Sequence, residues 1–427
     1  MGLVGFGAYR ISNRSALHQQ ALIRALELGC NLIDTSSNYT DGESEELIGA
    51  VLAEHPNFTP QIVTKAGYIQ GSNLAELEKL NALGLAIADL VDLGDQLKHS
   101  IHPEFLENQL NQSLKRLKKE SIDYFLLHNP EYYFKSPYAN QTEYYNRIEK
   151  AFVYLESEVQ KGRIKAYGIS SNNFVLPLND PHVTNLSKVL AVAKKISLNN
   201  HFKMIQFPFN LIEIGALEKF GDYGDESLLE LAKLNNILTM SNRPLNAFTN
   251  NQLVRLATYE EQTKELNREA AEKNFDYCLS LIKEKWIEAT REDELVDSDD
   301  FEEVTLIKQF RDLWKTLPTT DAVEQVYNGH LFPFVARIWG NGGLNALESA
   351  PFYQLYEDSL LFARVNMTKK ALDFKNQAKS VGLIAQENNR DFALEVIQIY
   401  LDYGIDFVLV GMKNPLYVDQ LSLLFKV

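Results

Sequence analysis

Eight short apolar runs, separated by stretches with helical spacing, constrain the fold of this chain most strongly. Continuous apolar runs of this length are typical of strands buried on both faces, as in a parallel sheet. Gly29 and Pro103 mark the end of one intervening helix and the start of another. Eight such strands favour a closed (β/α)₈ TIM barrel within the α/β class over an open doubly wound sheet. The runs lie at 3–6, 31–33, 62–63, 122–127, 166–169, 204–205, 237–238 and 407–410.

Two segments interrupt this rhythm. Residues 250–374 are strongly charged and helical, without an alternating strand pattern, and lie between the seventh strand and the last helix–strand unit. Residues 69–99 predict a short helix and a loop after the third strand. Both segments leave the barrel where strands end, which is the side that carries the active site in such barrels. We therefore expect residues 1–427 to form a single barrel, with 250–374 as a helical insertion that serves as a lid or wall at the C-terminal face.

Composition limits the partners. The chain has 42 Lys and Arg against 57 Asp and Glu, a net charge of -15, and such a surface repels nucleic-acid phosphates. No apolar run approaches the length of about 18 residues that a membrane span needs, and no signal sequence is evident. Two cysteines cannot build a disulfide framework, so we expect a reducing, cytoplasmic location. No cluster of His and Cys has the spacing of metal ligands, so we expect no metal site.

Four polar residues follow consecutive predicted strands, and they suit one kind of chemistry. Asp34 and Tyr39 follow the second strand, Lys65 the third and His128 the fourth, so all four meet at one rim of the barrel. A lysine ammonium near a phenol lowers the pKa of that phenol, and a carboxylate beside the lysine keeps it charged. We predict that Tyr39 is the general acid for a carbonyl oxygen that gains charge as its carbon accepts hydride. Asp34 holds Lys65, and His128 orients the carbonyl. Each residue taken alone also has an ordinary structural interpretation, as a turn cap, a packed ring or a strand-end lysine.

Six motifs in order carry a resemblance to a known family. They are GFGAYR from Gly5, NLIDTSSNYTDGESEELIG from Asn31, IVTKAG from Ile62, DYFLLHNPE from Asp123, GRIKAYGISSNNF from Gly162 and IQFPFNL from Ile205. Over about residues 1–245 and 386–420 the chain resembles the aldo-keto reductases. The resemblance implies a (β/α)₈ barrel that reduces carbonyls, or oxidises alcohols and sugars, with NADP(H) or NAD(H). It also implies that the four residues at the rim are the catalytic set.

The resemblance further implies which residues contact the cofactor. Ser170 and Gln206, with either Ser171 or Asn172, match the ligands of the nicotinamide amide. The aromatic residue expected just before Pro244 is absent, and Arg243 is available for the pyrophosphate. The remaining predicted cofactor contacts are Gly7 and Arg10 in the first motif, with Lys413 and Asn414 after the last strand, where a phosphate is expected.

The aromatic residues Tyr9, Tyr68 and Tyr132 follow strand ends and are candidates for the wall of the substrate pocket. Packing beneath an insertion explains them equally well. We expect a small carbonyl compound or a sugar as substrate, because specificity in such barrels lies in loops whose sequences identify no single compound. The alternative function is a cofactor-binding regulatory subunit on the same barrel with weak or no catalysis.

Overall fold

The structure is a computed structural model that describes residues 2–84, 87–94, 96–219, 225–249, 252–292, 305–340, 343–384 and 390–425. Strands and helices are numbered in chain order. The strands are β1 (Leu3–Gly7), β2 (Leu32–Asp34), β3 (Gln61–Ala66), β4 (Tyr68–Ile69), β5 (Val91–Asp92), β6 (Lys98–His99), β7 (Ile122–His128), β8 (Ile164–Ser170), β9 (Phe202–Pro208), β10 (Leu238–Asn242), β11 (Asn246–Thr249), β12 (Gln252–Arg255) and β13 (Phe407–Gly411). The helices are α1 (Ala16–Glu27), α2 (Glu43–Glu54), α3 (Ser72–Ala82), α4 (Pro103–Leu117), α5 (Gln141–Gln160), α6 (Leu186–Ile196), α7 (Leu228–Leu234), α8 (Glu260–Thr263), α9 (Arg268–Glu292), α10 (Thr305–Leu313), α11 (Thr320–Val326), α12 (Phe332–Trp339), α13 (Ala346–Ser380), α14 (Phe392–Asp402) and α15 (Pro415–Gln420).

Eight parallel strands close into a barrel in the order β1-β13-β10-β9-β8-β7-β3-β2. Each overlaps one of the eight apolar runs, so the predicted TIM barrel is confirmed. Gly29 follows α1 with a φ of 97°, and Pro103 is the first residue of α4, as the sequence predicts. Pro is favoured there because the first amide of a helix has no acceptor within the helix.

Side chains that point into the barrel change character along its axis. An apolar layer fills the interior, and its buried members are Leu32, Val63, Leu126, Met204, Met240, Phe407 and Leu409. Because strand residues alternate between faces, the next inward positions lie two residues further along each strand. They form what we call the rim layer: Gly7, Asp34, Lys65, His128, Ser170, Gln206, Asn242 and Gly411. Three of the four predicted catalytic residues therefore lie in one layer above the core.

The segment after β3 holds more structure than its sequence predicts. The expected helix is α3, but β4, β6 and β5 also form a three-stranded antiparallel sheet. Each of these strands has two residues, so none shows the alternation by which a strand is recognised in sequence.

The chain divides into two compact units, Met1–Asn251 with Leu394–Val427 and Gln252–Ala393. The second unit is largely helical, with β12 at its start, and has its own core of buried aromatic and aliphatic side chains. Residue 374, the predicted end of the insertion, lies inside α13, which continues to Ser380 and buries Ala371 and Ala378. No helix in the described part of the chain combines the length and apolar character that crossing a bilayer requires. Core residues of this unit include Phe275, Ile282, Phe310, Trp314, Tyr327 and Phe362.

Candidate active site

A buried ion pair joins the ends of β2 and β3. The Nζ of Lys65 donates to Oδ1 of Asp34 at 2.5 Å and to the carbonyl oxygen of Thr35 at 2.7 Å. Gln206 donates to the same Oδ1 at 2.9 Å, and Ser170 donates to Oε1 of Gln206 at 2.7 Å. Two residues predicted to bind the cofactor are thus hydrogen-bonded in series to the predicted catalytic pair.

Burial sets the electrostatics of this pair. It raises the pKa of Asp34 and lowers the pKa of Lys65, while the contact between the two groups opposes both shifts. The lysine side chain is fully buried. A charged pair in such a place holds its geometry only while both partners remain, because removal of one leaves the other uncompensated.

The backbone after Tyr39 is held in an unusual conformation. Thr40 and Asp41 have φ values of 47° and 56°, a left-handed region that non-glycine residues seldom occupy. The Thr40 hydroxyl donates to the carbonyl oxygen of Ile11 at 2.8 Å, and Oδ1 of Asp41 accepts from the backbone and hydroxyl of Ser72. These contacts hold the turn that presents the Tyr39 ring at the rim.

The Tyr39 phenol lies next to the ion pair. Nζ of Lys65 is 5.0 Å from the centroid of the Tyr39 ring. The pKa of Tyr39 nevertheless lies well above its usual value, because burial disfavours the phenolate and the negative charge of Asp34 adds to that effect. This direction is opposite to the predicted lowering by Lys65, whose charge is balanced by Asp34. Tyr39 is therefore a neutral phenol, the form that can donate a proton.

His128 is oriented by neighbours from three segments. Its Nδ1 lies 3.0 Å from the Ser36 hydroxyl, and its ring packs edge-on against Tyr68 with centroids 4.7 Å apart. The carbonyl oxygen of His128 accepts from Nε2 of His99, on β6, at 2.8 Å. Gly67 makes this approach possible, since a Cβ there would lie 2.7 Å from Nε2 of His99 and would overlap the His128 carbonyl oxygen. The small sheet is thus fastened to the end of the strand that carries His128.

Both histidines are neutral at ordinary pH. Burial, followed by the charge of Lys65, brings the pKa of His128 well below its usual value. Burial also lowers the pKa of His99 to about 4. A neutral imidazole retains both a donor and an acceptor nitrogen, so His128 can hydrogen-bond a ligand oxygen without introducing a second cation beside Lys65.

A cavity of about 480 Å³ opens above Tyr39 and His128. Two of the three predicted wall residues, Tyr9 and Tyr68, line it. Tyr132 is not among the lining residues but packs edge-on against Tyr68, with centroids 5.2 Å apart. Sequence reasoning missed the amide and hydroxyl side chains of the wall, although Gln70 follows Tyr68 at strand spacing. The lining residues are Tyr9, Arg10, Asn38, Tyr39, Thr40, Tyr68, Gln70, His128 and Asn129.

The end of β8 bears on the choice between Ser171 and Asn172 as a cofactor ligand. Ser171 is fully buried, its hydroxyl lies 2.9 Å from that of Thr184, and it accepts from the backbone N–H of Asn173 at 3.1 Å. Asn172, two positions after Ser170, lies on the same face of the chain as that residue. This arrangement favours the Asn172 side chain as the ligand.

The part of the rim layer on β10 and β13 has free space and an unused acceptor. A Cβ on Gly411 would meet only the carbonyl oxygen of Gly7, at 4.0 Å. On β10, Oδ1 of Asn242 is buried and has no hydrogen-bond partner among the described residues. Asn242 was not predicted as a site residue, although it lies just before Pro244, where the resemblance implies an aromatic residue and none is present. Buried amide oxygens without partners are uncommon in proteins, so this one points to a ligand group.

The remaining predicted cofactor residues follow strand ends, and three of the four have partners of their own. Arg10 lies 5.8 Å from the Tyr9 ring, and Arg243 pairs with Glu213 at 2.6 Å. The Asn414 side chain accepts from the backbone N–H of Leu416 and so caps α15. Lys413 is exposed after β13. These four remain predictions. Among the residues that the structure describes, no cluster of His, Cys, Asp and Glu is placed to hold a metal ion.

Comparison with known proteins identifies the family. The model of the family described as "Aldo/keto reductase family" matches residues 1–283, about two thirds of the chain. The chain belongs to the aldo/keto reductase family. Its predicted resemblance to the aldo-keto reductases is thereby confirmed.

Individual relatives of this family are distant. The chain is 25% identical to the NADH-specific methylglyoxal reductase of Escherichia coli over 150 residues, covering 35% of this chain and 40% of that protein. It is also 25% identical to the NAD(P)H-dependent D-xylose reductase I,II of Candida tropicalis over 250 residues, covering 54% and 66%. The chain thus spans less than two thirds of the length of these relatives. Among solved structures, the glycerol dehydrogenase AKR11B4 from Gluconobacter oxydans is 17% identical, with a TM-score of 0.48 and coverage of 99% and 86%.

Proposed function

We propose that this protein is an oxidoreductase that transfers hydride between NADP(H) or NAD(H) and the carbonyl carbon of a small aldehyde, ketone or sugar. The observation that carries this proposal is the neutral Tyr39 phenol, set beside a buried Lys65–Asp34 pair and opening with His128 onto one cavity. Membership of the family supports the reaction class. The names of the two relatives, both reductases of aldehydes or sugars, support the substrate class.

The rim layer fits a nicotinamide ring and its carboxamide. A carboxamide offers two N–H donors and one carbonyl acceptor, and it therefore needs both kinds of partner. Asn172, Ser170 and the unpartnered oxygen of Asn242 supply them, and the open space beside Gly411 leaves room for a ring. The bound dinucleotide would supply or accept the hydride. Lys413 is the exposed cation that we assign to a cofactor phosphate.

The side chains of this protein bind the substrate oxygen and transfer a proton to or from it. In reduction, Tyr39 donates its proton to the oxygen as the carbon becomes an alcohol, and in oxidation the tyrosinate accepts it back. Lys65 stabilises the phenolate during that transfer, and Asp34 fixes the position of the lysine. His128, aligned by Ser36 and Tyr68, holds the oxygen within reach of the phenol.

Substitution of Tyr39 tests the proposal. Tyr39→Phe should lower kcat for a panel of aldehydes with NADPH by about 10²–10⁴-fold, the usual contribution of general acid catalysis. Tyr9→Phe is the matched control, since the two rings are in edge contact at 5.0 Å but only Tyr39 lies over Lys65. Equal rates for Tyr39→Phe and the wild type would contradict the role of Tyr39. Cofactor binding without any single-turnover hydride transfer by the wild type would favour the regulatory alternative.

We also propose that the helical insertion predicted at residues 250–374 acts as a lid or wall that selects the substrate. The chain enters this insertion after β10 and returns through α14, and β10 ends at the same end of the barrel as the rim layer. Replacing residues 252–393 by a flexible linker should change relative kcat/KM values across a carbonyl panel while the Kd for NADPH stays within a few-fold. Loss of cofactor affinity with unchanged specificity would contradict this role.

A further inference from the structure

A buried carboxyl group that the catalytic proposal does not use lies between the ends of β7 and β8. Glu131 belongs to a 3₁₀ turn, Pro130–Lys135, that is separated from His128 by Asn129 alone, and it is 5% exposed. Its Oε1 accepts from the backbone N–H of Asn172 at 2.9 Å. Its Oε2 is buried and has no hydrogen-bond partner among the described residues. A half-satisfied buried carboxylate is costly, so its retention needs a reason.

The backbone directs Glu131 back toward β8. Asn129 has a φ of 49°, and its N–H donates to the carbonyl oxygen of Ser170 at 2.7 Å, so the chain turns sharply across the β8 end. Pro130 then begins the turn that carries the carboxyl group. The residue after the catalytic histidine therefore fixes where Glu131 points.

Glu131 holds the segment that begins at Asn172, which we propose to bind the carboxamide of the nicotinamide. Asn172 is the first residue of a 3₁₀ turn, where a backbone N–H has no acceptor within the turn. Ser171 satisfies the next N–H, that of Asn173, and is anchored through Thr184. With its backbone fixed by Glu131, the Asn172 side chain has a defined direction from the rim.

We propose that Glu131 is a positioning residue for the cofactor, which acts by holding the backbone of Asn172 so that its side-chain amide meets the nicotinamide carboxamide. This inference rests on the proposed function. It adds a residue that contacts neither substrate nor cofactor, and it links the strand of the catalytic histidine to the cofactor site.

Burial raises the pKa of Glu131 to about 7, and the N–H donors, the Ser171 hydroxyl and Lys135 oppose that shift. The other titratable groups facing it are Tyr144 on α5 and Tyr68 on β4, whose pKa values its charge helps to raise. Above pH 7 the carboxylate is a strong acceptor for the Asn172 N–H. As pH falls below 7 it takes up a proton and holds that N–H more weakly, so cofactor affinity should fall with it.

Glu131→Gln and Glu131→Ala test the inference, with Glu156→Gln as the matched control. Glu156 is also buried and also accepts a backbone N–H, that of His201 at 2.7 Å, but at the amino end of β9. We would titrate the full chain with NADPH and with NADH at pH 6, 7 and 8 by fluorescence. NADH is included because the 2′-phosphate of NADPH titrates near pH 6 by itself.

Glu131→Ala should raise the Kd for both cofactors about tenfold at pH 8, as expected for loss of a hydrogen bond to a charged group. Its kcat at saturating cofactor should stay within a few-fold of the wild type, which a general structural defect would not allow. Glu131→Gln keeps an acceptor and should lose the pH dependence of NADH binding, whereas Glu156→Gln should keep it.

If Glu131→Ala does not fold, the loss of pH dependence in Glu131→Gln decides the matter. Wild-type affinity and pH dependence in both Glu131 variants would overturn the inference while leaving the proposed function intact. Failure of the folded wild type to bind either cofactor would instead overturn the proposed function, and the inference with it.

Discussion

The two ends of the barrel use polar groups in different ways. At the amino end, carboxylates tie the beginnings of neighbouring strands together. Asp123 accepts from the backbone N–H of Ile62, and Asp406 accepts from the backbone and hydroxyl of Thr239. Asp123 also pairs with Lys165 at 2.7 Å. The arrangement of these carboxylates serves closure of the barrel.

At the carboxyl end, burial shifts the pKa of each group of the site away from its usual value. The pKa values of Asp34 and Tyr39 are raised and those of Lys65 and His128 are lowered, each chiefly by burial. Shifts of this kind cluster at functional sites because catalysis needs groups whose proton affinity has been changed. The contrast teaches that burial of charge alone does not mark a site. The mark is a set of buried groups with shifted pKa values that lie next to open space.

Breaking one ion pair at each end of the barrel should give the largest difference in stability and turnover between the two ends. Lys65→Met leaves Asp34 buried with only Gln206 as a side-chain donor, so the free energy of unfolding should fall by about 3–5 kcal/mol. Turnover should fall by about 10²–10⁴-fold, because the phenolate of Tyr39 loses its neighbouring cation. Urea unfolding and aldehyde reduction measure the two effects.

Arg163→Met is the matched change at the amino end. Glu158 is fully buried and keeps Lys161 at 2.9 Å when Arg163 is lost. We expect destabilisation of about 1 kcal/mol, as for a partly exposed pair, and an unchanged kcat. A similar loss of turnover in both variants would mean that the two ends do not differ in function.

Much of the barrel, and the positions of the proposed catalytic residues, could be predicted because their signals are local. A buried parallel strand is a short apolar run, and the residue that follows it lies at a known end of the barrel. Asp34, Lys65 and His128 are therefore placed by position alone. Tyr39 was predicted in the same way a few residues beyond its strand, but the left-handed turn that presents it has no pattern in sequence.

The supporting contacts could not be predicted because they join segments far apart in the chain. His99 reaches His128 through a sheet of two-residue strands, which are too short to show periodicity. Glu131 is recognisable only once β7 and β8 are adjacent and the Asn172 N–H is in reach. The predicted lowering of the Tyr39 pKa was wrong for a related reason. The sequence shows which charged residues are present, but it does not show how deeply the fold buries the phenol.

A smaller effect is expected from His99, in the pH dependence of stability. Its pKa in the folded chain is about 4, against 6.5 for a histidine in water. The folded state therefore binds fewer protons than the unfolded one, and stability present above pH 6.5 is lost as pH falls toward 4. A difference of this size corresponds to about 3 kcal/mol in the free energy of unfolding.

His99→Gln should flatten this acid limb, because glutamine cannot take up a proton yet can still donate to the His128 carbonyl oxygen. Urea unfolding between pH 7.5 and 4.5 measures the slope for both proteins. The same substitution at His201, at the amino end, measures what loss of an imidazole does outside the site. Parallel plots of the free energy of unfolding against pH for wild type and His99→Gln would contradict this prediction. The slope of such a plot is set by the protons that the unfolded chain binds and the folded chain does not.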